Sequence, residues 1–417
     1  MTDGNLSRRR FLGIAAGGAA LGATAGIGVS AVRSHAASAT HAAMQAPVDF
    51  EGVHQAGIAT PAQDRIQFTA FDLTVADRFE LVALLKEWTL AARKLTLGLP
   101  SGSLAAADVV AEDPPSDTGE TLDLPAAGLT LTIGFGPSMF DDRLGLRTRR
   151  PPALADLPFF AGDAIDAAIS DGDLCIQACA NDPQIALHAM RQLTRIGAGV
   201  VTPRWAQLGF LRTTGVGDPR ATPRNLLGLK DGTLNLDVTQ PELLDQHVWA
   251  SADDGATWMA GGTYLVSRRI RMHIEAWDRS ALEEQEGTIG RHKSSGAPLG
   301  AAQETDTLDF SVKNADGSPR VPVDAHVRLA HPDHNDGAHL LRRGYSFADG
   351  LDRFGRMDAG LFFLAYQRDP RLQFVPIQRR LSRTDALNDY IVHQSSGVWA
   401  CPPGVGPLGY WGQTLFA

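Results

Sequence analysis

Three polar residues stand in local settings that suit chemistry on a bound metal or cofactor. Asp231 lies in Gly-Leu-Lys-Asp231-Gly-Thr, His326 in Val-Asp-Ala-His326-Val-Arg, and Arg342 begins Arg342-Arg-Gly-Tyr-Ser. A carboxylate can accept and return a proton, an imidazole can ligate a metal, and an arginine can stabilise a developing anion. Taken singly, each has an ordinary explanation: a hairpin turn for Asp-Gly, a structural histidine, and a surface salt bridge.

Taken together, the three segments resemble the dye-decolourising peroxidase family, in which an aspartate in a Gly-x-x-Asp-Gly-Thr loop faces peroxide, a later histidine ligates iron, and an arginine follows. The resemblance extends over nearly the whole chain after residue 39. It implies one haem b per chain with His326 as the proximal iron ligand, and Asp231 with Arg342 as the catalytic pair. The implied reaction reduces hydrogen peroxide through a ferryl state and oxidises dyes, phenols or other one-electron donors.

The resemblance also implies haem contacts beside these residues. They are made by Arg342, by the three residues after Asp231, and by a trio that begins five residues after His326: Gly232, Thr233, Leu234, His331, Pro332 and Asp333. In relatives the trio commonly reads Asn-Pro-Arg, so the aspartate at position 333 puts a propionate contact there in doubt.

Three further residues are candidates for supporting roles. A ligating imidazole needs an acceptor for its second N–H, and similarity to the family's Leu-Asn-acid-Tyr segment favours Asp389, with an exposed helix carboxylate as the alternative. Tyr345 and Tyr390 could pass electrons from a surface reductant to the haem edge, or they could simply pack.

Other functions stay open at this point. A separate transition-metal site could be formed by a group of histidines and aspartates, although their spacing matches no familiar zinc motif: His326, His331, His334, His339, Asp333 and Asp336. The resemblance is strongest to the deferrochelatase/peroxidase branch, which implies release of iron from haem as a second role. Non-catalytic haem binding, as cargo or partner of a copper or iron system, and chlorite dismutase-like chemistry are the remaining alternatives.

The N-terminus carries an export pattern. Ser-Arg8-Arg9-Arg-Phe-Leu precedes an uncharged stretch rich in Gly and Ala, and Ala37-Ser-Ala39 offers a small-residue cleavage site. The pattern predicts a twin-arginine signal peptide over residues 1–39, with a retained membrane anchor as the alternative. We expect a periplasmic, cell-surface or extracellular protein with no stable membrane insertion after the signal is removed.

Charge and cysteine usage exclude several classes of partner and scaffold. The net charge is −9, and it becomes −12 without residues 1–39, which hold four arginines and one aspartate. This balance argues against a nucleic-acid or anionic-membrane partner. Three cysteines are too few for a disulfide scaffold. Cys175 and Cys179 lie on one predicted strand, about 13 Å apart, and cannot pair with each other.

Strand and helix patterns occur twice along the chain. Strands are predicted to begin near residues 66, 129, 173, 262 and 360, and helices are predicted over 76–95, 183–196, 277–288, 372–382 and 385–391. This order indicates an α+β protein of two ferredoxin-like domains, antiparallel sheets with helices packed on the outside. We predict an arm over 40–62, a first domain over 63–220 and a haem-binding second domain over 221–417. Residues 291–345 would form a long insertion that reaches over a pocket.

Overall fold

The structure is a computed structural model that describes residues 44–103, 113–214, 216–218 and 221–417. The predicted signal peptide lies outside these ranges. No helix within them is both long enough and apolar enough to cross a bilayer.

Antiparallel strands form the centre of the molecule. In the described part of the chain they are β1 (Arg65–Leu73), β2 (Thr130–Phe135), β3 (Leu174–Ala180), β4 (Val201–Phe210), β5 (Thr263–Met272), β6 (Leu341–Arg342), β7 (Tyr345–Leu351), β8 (Met357–Gln367) and β9 (Ile391–Cys401). The predicted strands near residues 66, 129, 173, 262 and 360 are all present.

The strands form two four-stranded sheets of the same topology. The N-terminal sheet has the order β2-β3-β1-β4, and the C-terminal sheet has the order β9-β5-β8-β7. In both, the first and third strands of the unit lie in the middle, which is the ferredoxin-like arrangement. Single residue pairs, Phe135 with Ala400 and Phe210 with Ser346, join the two sheets at their edges. Eight strands therefore close a ring, and β6 adds to it by pairing with β8.

The α-helices pack around this ring. Those of the described residues are α1 (Arg78–Thr96), α2 (Pro183–Ile196), α3 (Pro241–His247), α4 (Ile274–Trp277), α5 (Leu282–Ile289), α6 (His326–Leu329), α7 (Phe374–Thr384) and α8 (Gln413–Phe416). Asp77 and Asp182 cap the first two helices by accepting hydrogen bonds from backbone N–H groups of the first turn, as aspartate does at this position. The α+β prediction with ferredoxin-like units is confirmed.

Two predicted helices differ from the structure. The helix expected over residues 277–288 is two short helices, because the chain turns at Asp278–Ser280 and restarts at Leu282. The helix expected over residues 385–391 is a short 3₁₀ helix, Ala386–Asp389, which leads directly into β9. The predicted domain boundary at residue 220 stays a prediction, since residues 219 and 220 lie outside the described ranges.

Three apolar clusters matter for the site. One packs α1 and α2 on the N-terminal sheet, and a second fills the space between the two sheets and buries all three cysteines, which are unpaired. The third is smaller and joins Leu227 and Leu229 to Trp277, Leu387 and Tyr390. It ties the segment before Asp231 to the segment that follows α7.

Candidate active site

Asp231 ends a tight loop that the small apolar cluster anchors. Its N–H donates to the carbonyl of Pro223 at 2.9 Å, and the preceding turn is fixed by the indole N–H of Trp277, which donates to the carbonyl of Leu227 at 2.9 Å. Gly232 has a φ of +122°, a conformation that side chains rarely adopt. Asp-Gly is therefore a turn here, but one that leaves the Asp231 carboxylate about 30% exposed and facing Arg342.

The long insertion holds this loop on both sides of the aspartate. The carboxylate of Glu304 accepts hydrogen bonds from the ammonium of Lys230 and from the hydroxyl of Thr233, the latter at 3.0 Å. Burial raises the pKa of Glu304, but the hydrogen bond from Lys230 and those from two threonine hydroxyls outweigh it and leave the pKa lowered. The insertion therefore positions the residues immediately before and after the Asp231-Gly232 dipeptide.

Arg342 is fixed by a contact that the sequence did not indicate. The side-chain amide of Asn235 donates to the carbonyl of Arg342 at 2.7 Å and accepts from its N–H at 2.8 Å. Asn235 lies four residues after Asp231, so one side chain couples the aspartate loop to the short strand β6. The guanidinium of Arg342 then donates to Oδ1 of Asp231 at 3.2 Å. The structure brings together the two residues that were predicted to act as a pair.

Arg343 points away from this pair, because successive side chains of an extended segment face opposite sides. It is buried and donates to the carbonyls of Thr60 and Pro61 and to the side chain of Gln63. Its neighbour Tyr345 is also fully buried, and its hydroxyl donates to Sγ of Cys179 at 3.4 Å. These residues build the interior behind Arg342.

His326 begins α6 and is oriented by a carboxylate. Its Nδ1 lies 2.6 Å from Oδ2 of Asp385, whose other oxygen accepts from the N–H of Leu387 at 2.9 Å. Asp389, the predicted partner of the histidine, is exposed at the end of the 3₁₀ helix. The prediction of Asp389 was wrong: the acceptor is the aspartate that caps this 3₁₀ helix, four residues earlier.

The other nitrogen of His326 is available for a ligand. No hydrogen-bond partner of Nε2 occurs among the described residues, and a third of the side-chain surface is accessible. Burial lowers the pKa of His326, and the charge and hydrogen bond of Asp385 reverse this and raise it. The same imidazole lies near enough to Arg342 and Asp231 for their charges to act on it. An imidazole held through Nδ1 with Nε2 free matches what an axial iron ligand needs, so these residues fit a haem.

The other residues that were predicted to contact haem differ in their exposure and in their partners. His331 lies edge to face with Phe310, at 5.1 Å between ring centroids, and its Nδ1 accepts from the N–H of Asp333 at 3.2 Å. The side chain of Asp333 is 72% exposed, and Leu234 is 52% exposed. Pro332 opens a 3₁₀ turn. Contact of Gly232, Thr233, Leu234 and the 331–333 trio with haem stays a prediction.

The alternative metal site around His326 is not supported. Within the described residues, the one group of three side chains whose ligand atoms could hold an ion together is Asp117, Glu120 and His188. His331 and His334 instead pack against Phe310. The segment that contains His331 and His334 is therefore held by aromatic contacts and by a 3₁₀ turn.

Tyr390 has a structural role that the sequence left open. Its ring lies edge to face with Trp277, at 4.9 Å between centroids, and its hydroxyl donates to Glu284. These contacts join the end of the 3₁₀ helix after Asp385 to the helices beside the Asp231 loop. Electron transfer through Tyr345 or Tyr390 stays a prediction.

Comparison with known proteins agrees with the geometry. Residues 55–211 match the N-terminal model of Dyp-type peroxidases, and residues 222–406 match the C-terminal model. The chain belongs to the Dyp-type peroxidase family. It is therefore a haem peroxidase, and haem is its cofactor, as the motifs implied. Hydrogen peroxide and a reductant are the substrates that this family implies.

Three relatives show how far the similarity extends. A deferrochelatase of Yersinia pseudotuberculosis is 35% identical over 413 residues, covering 97% of this chain and 93% of the relative. A dye-decolorizing peroxidase of Thermobifida fusca is 38% identical over 368 residues, covering 85% of this chain and 82% of the relative. The structure of DtpA from Streptomyces lividans, an oxyferrous complex, superposes with a TM-score of 0.84 at 40% identity, covering 90% of this chain and 98% of that chain.

Proposed function

We propose that Asp231 is the proton carrier of this peroxidase and that Arg342 stabilises the charge that develops on the departing oxygen. The supporting observation is the 3.2 Å contact between the guanidinium of Arg342 and Oδ1 of Asp231, both partly exposed and close to His326. A carboxylate beside a guanidinium can accept a proton from peroxide and return it.

The two residues divide the work by chemical type. Asp231 accepts the proton from one peroxide oxygen and returns it to the other, which then leaves as water. Arg342 has no proton to give up at ordinary pH, so it acts through charge and N–H donors. Asn235 holds the backbone of Arg342, and Glu304 holds the side chains of Lys230 and Thr233 on either side of the Asp231-Gly232 dipeptide. These contacts keep the two groups at working distance.

His326 would hold the haem iron through Nε2. Asp385 holds Nδ1 and so directs Nε2 at the metal, which increases the electron donation of the imidazole. Haem, when bound, would supply the iron that takes up the two oxidising equivalents of hydrogen peroxide and passes them to the reductant. We propose dyes, phenols and other one-electron donors as the reductants.

The test is an absorption spectrum of the purified haem protein before and after one equivalent of hydrogen peroxide, followed by dye oxidation. We expect a haem spectrum that changes on addition of peroxide in the wild type and changes far more slowly in Arg342→Leu. A protein that binds haem but shows no peroxide-dependent turnover would favour the alternative of non-catalytic haem binding.

Release of iron from haem is a second candidate function. It is favoured by the relatives named deferrochelatase, at 35% and 36% identity. Incubation of the protein with haem, with and without peroxide, distinguishes the two activities: metal-free porphyrin is fluorescent and haem is not. Appearance of porphyrin and free iron would support deferrochelatase activity, and an intact haem after many peroxidase turnovers would exclude it.

We also propose that the protein is exported by the twin-arginine route. The support is the Ser-Arg8-Arg9-Arg-Phe-Leu segment followed by an uncharged stretch. A partner in a copper or iron system would then meet it outside the cytoplasm. Replacement of Arg8 and Arg9 by lysine should leave the full-length chain inside the cell, and unchanged export of that variant would contradict the proposal.

A further inference from the structure

A second histidine, outside the haem site, is enclosed by carboxylates on the outer side of the N-terminal sheet. His188 lies on α2, and Asp117 and Glu120 lie on the connection between α1 and β2. One ligand atom from each side chain can be chosen so that all three lie within 4.8 Å of one another. His188 is 2% exposed and Asp117 is 1% exposed, while Glu120 is 28% exposed and opens the cluster to solvent.

The hydrogen bonding of His188 is incomplete. Its Nδ1 lies 2.7 Å from Oε2 of Glu120, and since a carboxylate can only accept, this nitrogen carries the proton. A neutral imidazole then has a bare lone pair on Nε2. That atom is buried without a hydrogen-bond partner, although Oδ2 of Asp117 is 3.4 Å away. Two lone pairs facing each other in a buried place are unfavourable unless a proton on Nε2 or a metal ion lies between them.

The spacing of these two atoms suits a metal ion. Ligand atoms that are each about 2.0–2.1 Å from a tetrahedral zinc ion lie about 3.3–3.4 Å apart, which is the observed separation of Nε2 and Oδ2. Glu120 already holds Nδ1 in the way that a carboxylate orients a metal-bound histidine. Oδ2 of Asp117 accepts hydrogen bonds from the N–H and from the hydroxyl of Ser101, each at 2.8 Å. The hydroxyl has a second acceptor in Oε1 of Gln192 at 3.4 Å, so it can leave one lone pair of Oδ2 to the ion.

We propose that His188 and Asp117 bind a divalent transition ion, with Glu120 as the carboxylate that orients the histidine. Nitrogen and carboxylate ligands suit ions such as Zn²⁺, and water would complete the coordination. The site joins the connection before β2 to helix α2, so its role is structural. Arg191 pairs with the other oxygen of Glu120 on the solvent side and is half exposed.

The test uses the haem-loaded protein, so that His326 is occupied, after dialysis against a chelator. Zinc chloride is the probe, measured by titration calorimetry and by elemental analysis. We expect one zinc per chain in addition to the haem iron, and a higher melting temperature with zinc. His188→Ala and Asp117→Asn should abolish both effects, and Glu120→Gln should weaken zinc binding by about 10- to 100-fold.

His292 provides a matched control, because its Nδ1 lies 2.8 Å from Glu286 in a similar histidine–glutamate pair without a third ligand. His292→Ala should leave zinc binding unchanged. If His188→Ala does not fold, Asp117→Asn carries the test, since its volume is nearly the same. Failure of the wild type to bind zinc at micromolar concentration would show a buried imidazolium ion pair, and undiminished binding in Asp117→Asn would place the zinc at another site. Either result would overturn the proposal. Neither result depends on peroxidase activity.

Discussion

His326 and His188 are held in the same way but are enclosed differently. In each, a carboxylate lies close to Nδ1, Asp385 at 2.6 Å and Glu120 at 2.7 Å. A third of the His326 side chain is accessible, whereas His188 is 2% exposed. A planar macrocycle needs open space beside the ligating nitrogen, and a bare ion needs only a bond of about 2 Å. Space around an oriented imidazole therefore decides which ligand it can take.

The largest expected effect is on haem binding, and it should occur in His326→Ala but not in His188→Ala. His326→Ala removes the axial ligand, so we expect loss of haem or a displaced iron with little turnover. His188→Ala should retain one haem per chain. The haem absorption band and the haem-to-protein ratio measure this. An unchanged haem spectrum with full turnover in His326→Ala would remove the assignment of the proximal ligand.

The distal pair should come next in size. Arg342→Leu removes the charge that stabilises the departing oxygen, and loss of such a donor costs on the order of a hundredfold or more in rate. Asp231→Asn should have a comparable effect, or a smaller one if a chain of water molecules carries the proton. Stopped-flow mixing with peroxide measures both rates. Arg320→Leu is the control. Arg320 is exposed and lies, like Arg342, in the insertion over residues 291–345, and this variant should react like the wild type.

A third comparison sets the observed acceptor against the one that was predicted. Asp385→Asn should weaken haem retention or turnover by about 10- to 100-fold, as is usual when the carboxylate behind a ligating histidine is removed. Asp389→Asn should change neither, since this side chain is exposed. Haem transfer to an acceptor protein and steady-state turnover provide the two measurements. Equal effects of the two substitutions would contradict the role of Asp385.

Glu304 gives a smaller effect that depends on pH. Its pKa is lowered in the folded protein from a usual value near 4.5, so its stabilising contribution is complete above about 4.5 and is lost as the pH falls through the folded-state value. Glu304→Gln should therefore lower the melting temperature at neutral pH, and the difference from the wild type should shrink in acid. A melting-temperature difference that stays constant from neutral to strongly acidic pH would argue against a stabilising ion pair between Glu304 and Lys230.

The smallest effects should come from the tyrosines. If Tyr390 passes electrons from the surface, Tyr390→Phe should reduce turnover of bulky dyes and a radical signal after peroxide addition, while a small phenol is still oxidised. Tyr345 is fully buried and bonded to Cys179, so Tyr345→Phe should matter less for bulky dyes. Unchanged radical signals in both variants and in the double variant would place electron transfer elsewhere.

The sequence by itself determined the chemistry of the site where that chemistry is local. The Asp231 loop, His326 and Arg342 each stand in a short segment whose residue types and turn signals are visible without any fold. The two ferredoxin-like units followed from the order of strands and helices, because side-chain periodicity is a property of neighbouring residues.

Some strands could not be predicted in this way. In β4, Thr202, Pro203 and Arg204 are all exposed in succession, and the partner register shifts at Ala70 and Phe71. A bulge of this kind breaks the alternation that indicates a strand. In β9, polar residues from His393 to Ser396 interrupt the apolar pattern where the strand borders polar neighbours. Pairing with β1 and β7 makes the first segment a strand, and pairing with β5 and β2 makes the second one a strand.

Tertiary structure alone decided which distant side chains meet. Asp385 is 59 residues from His326, and Asn235 is 107 residues from Arg342, so no spacing in the sequence indicates either contact. The same is true of His188 and Glu120, which are 68 residues apart. Local patterns report the conformation of a segment, whereas the hydrogen bonds that orient a ligand depend on where whole elements pack. For this reason the sequence predicted the candidate reacting groups, and only the fold showed the residues that hold them.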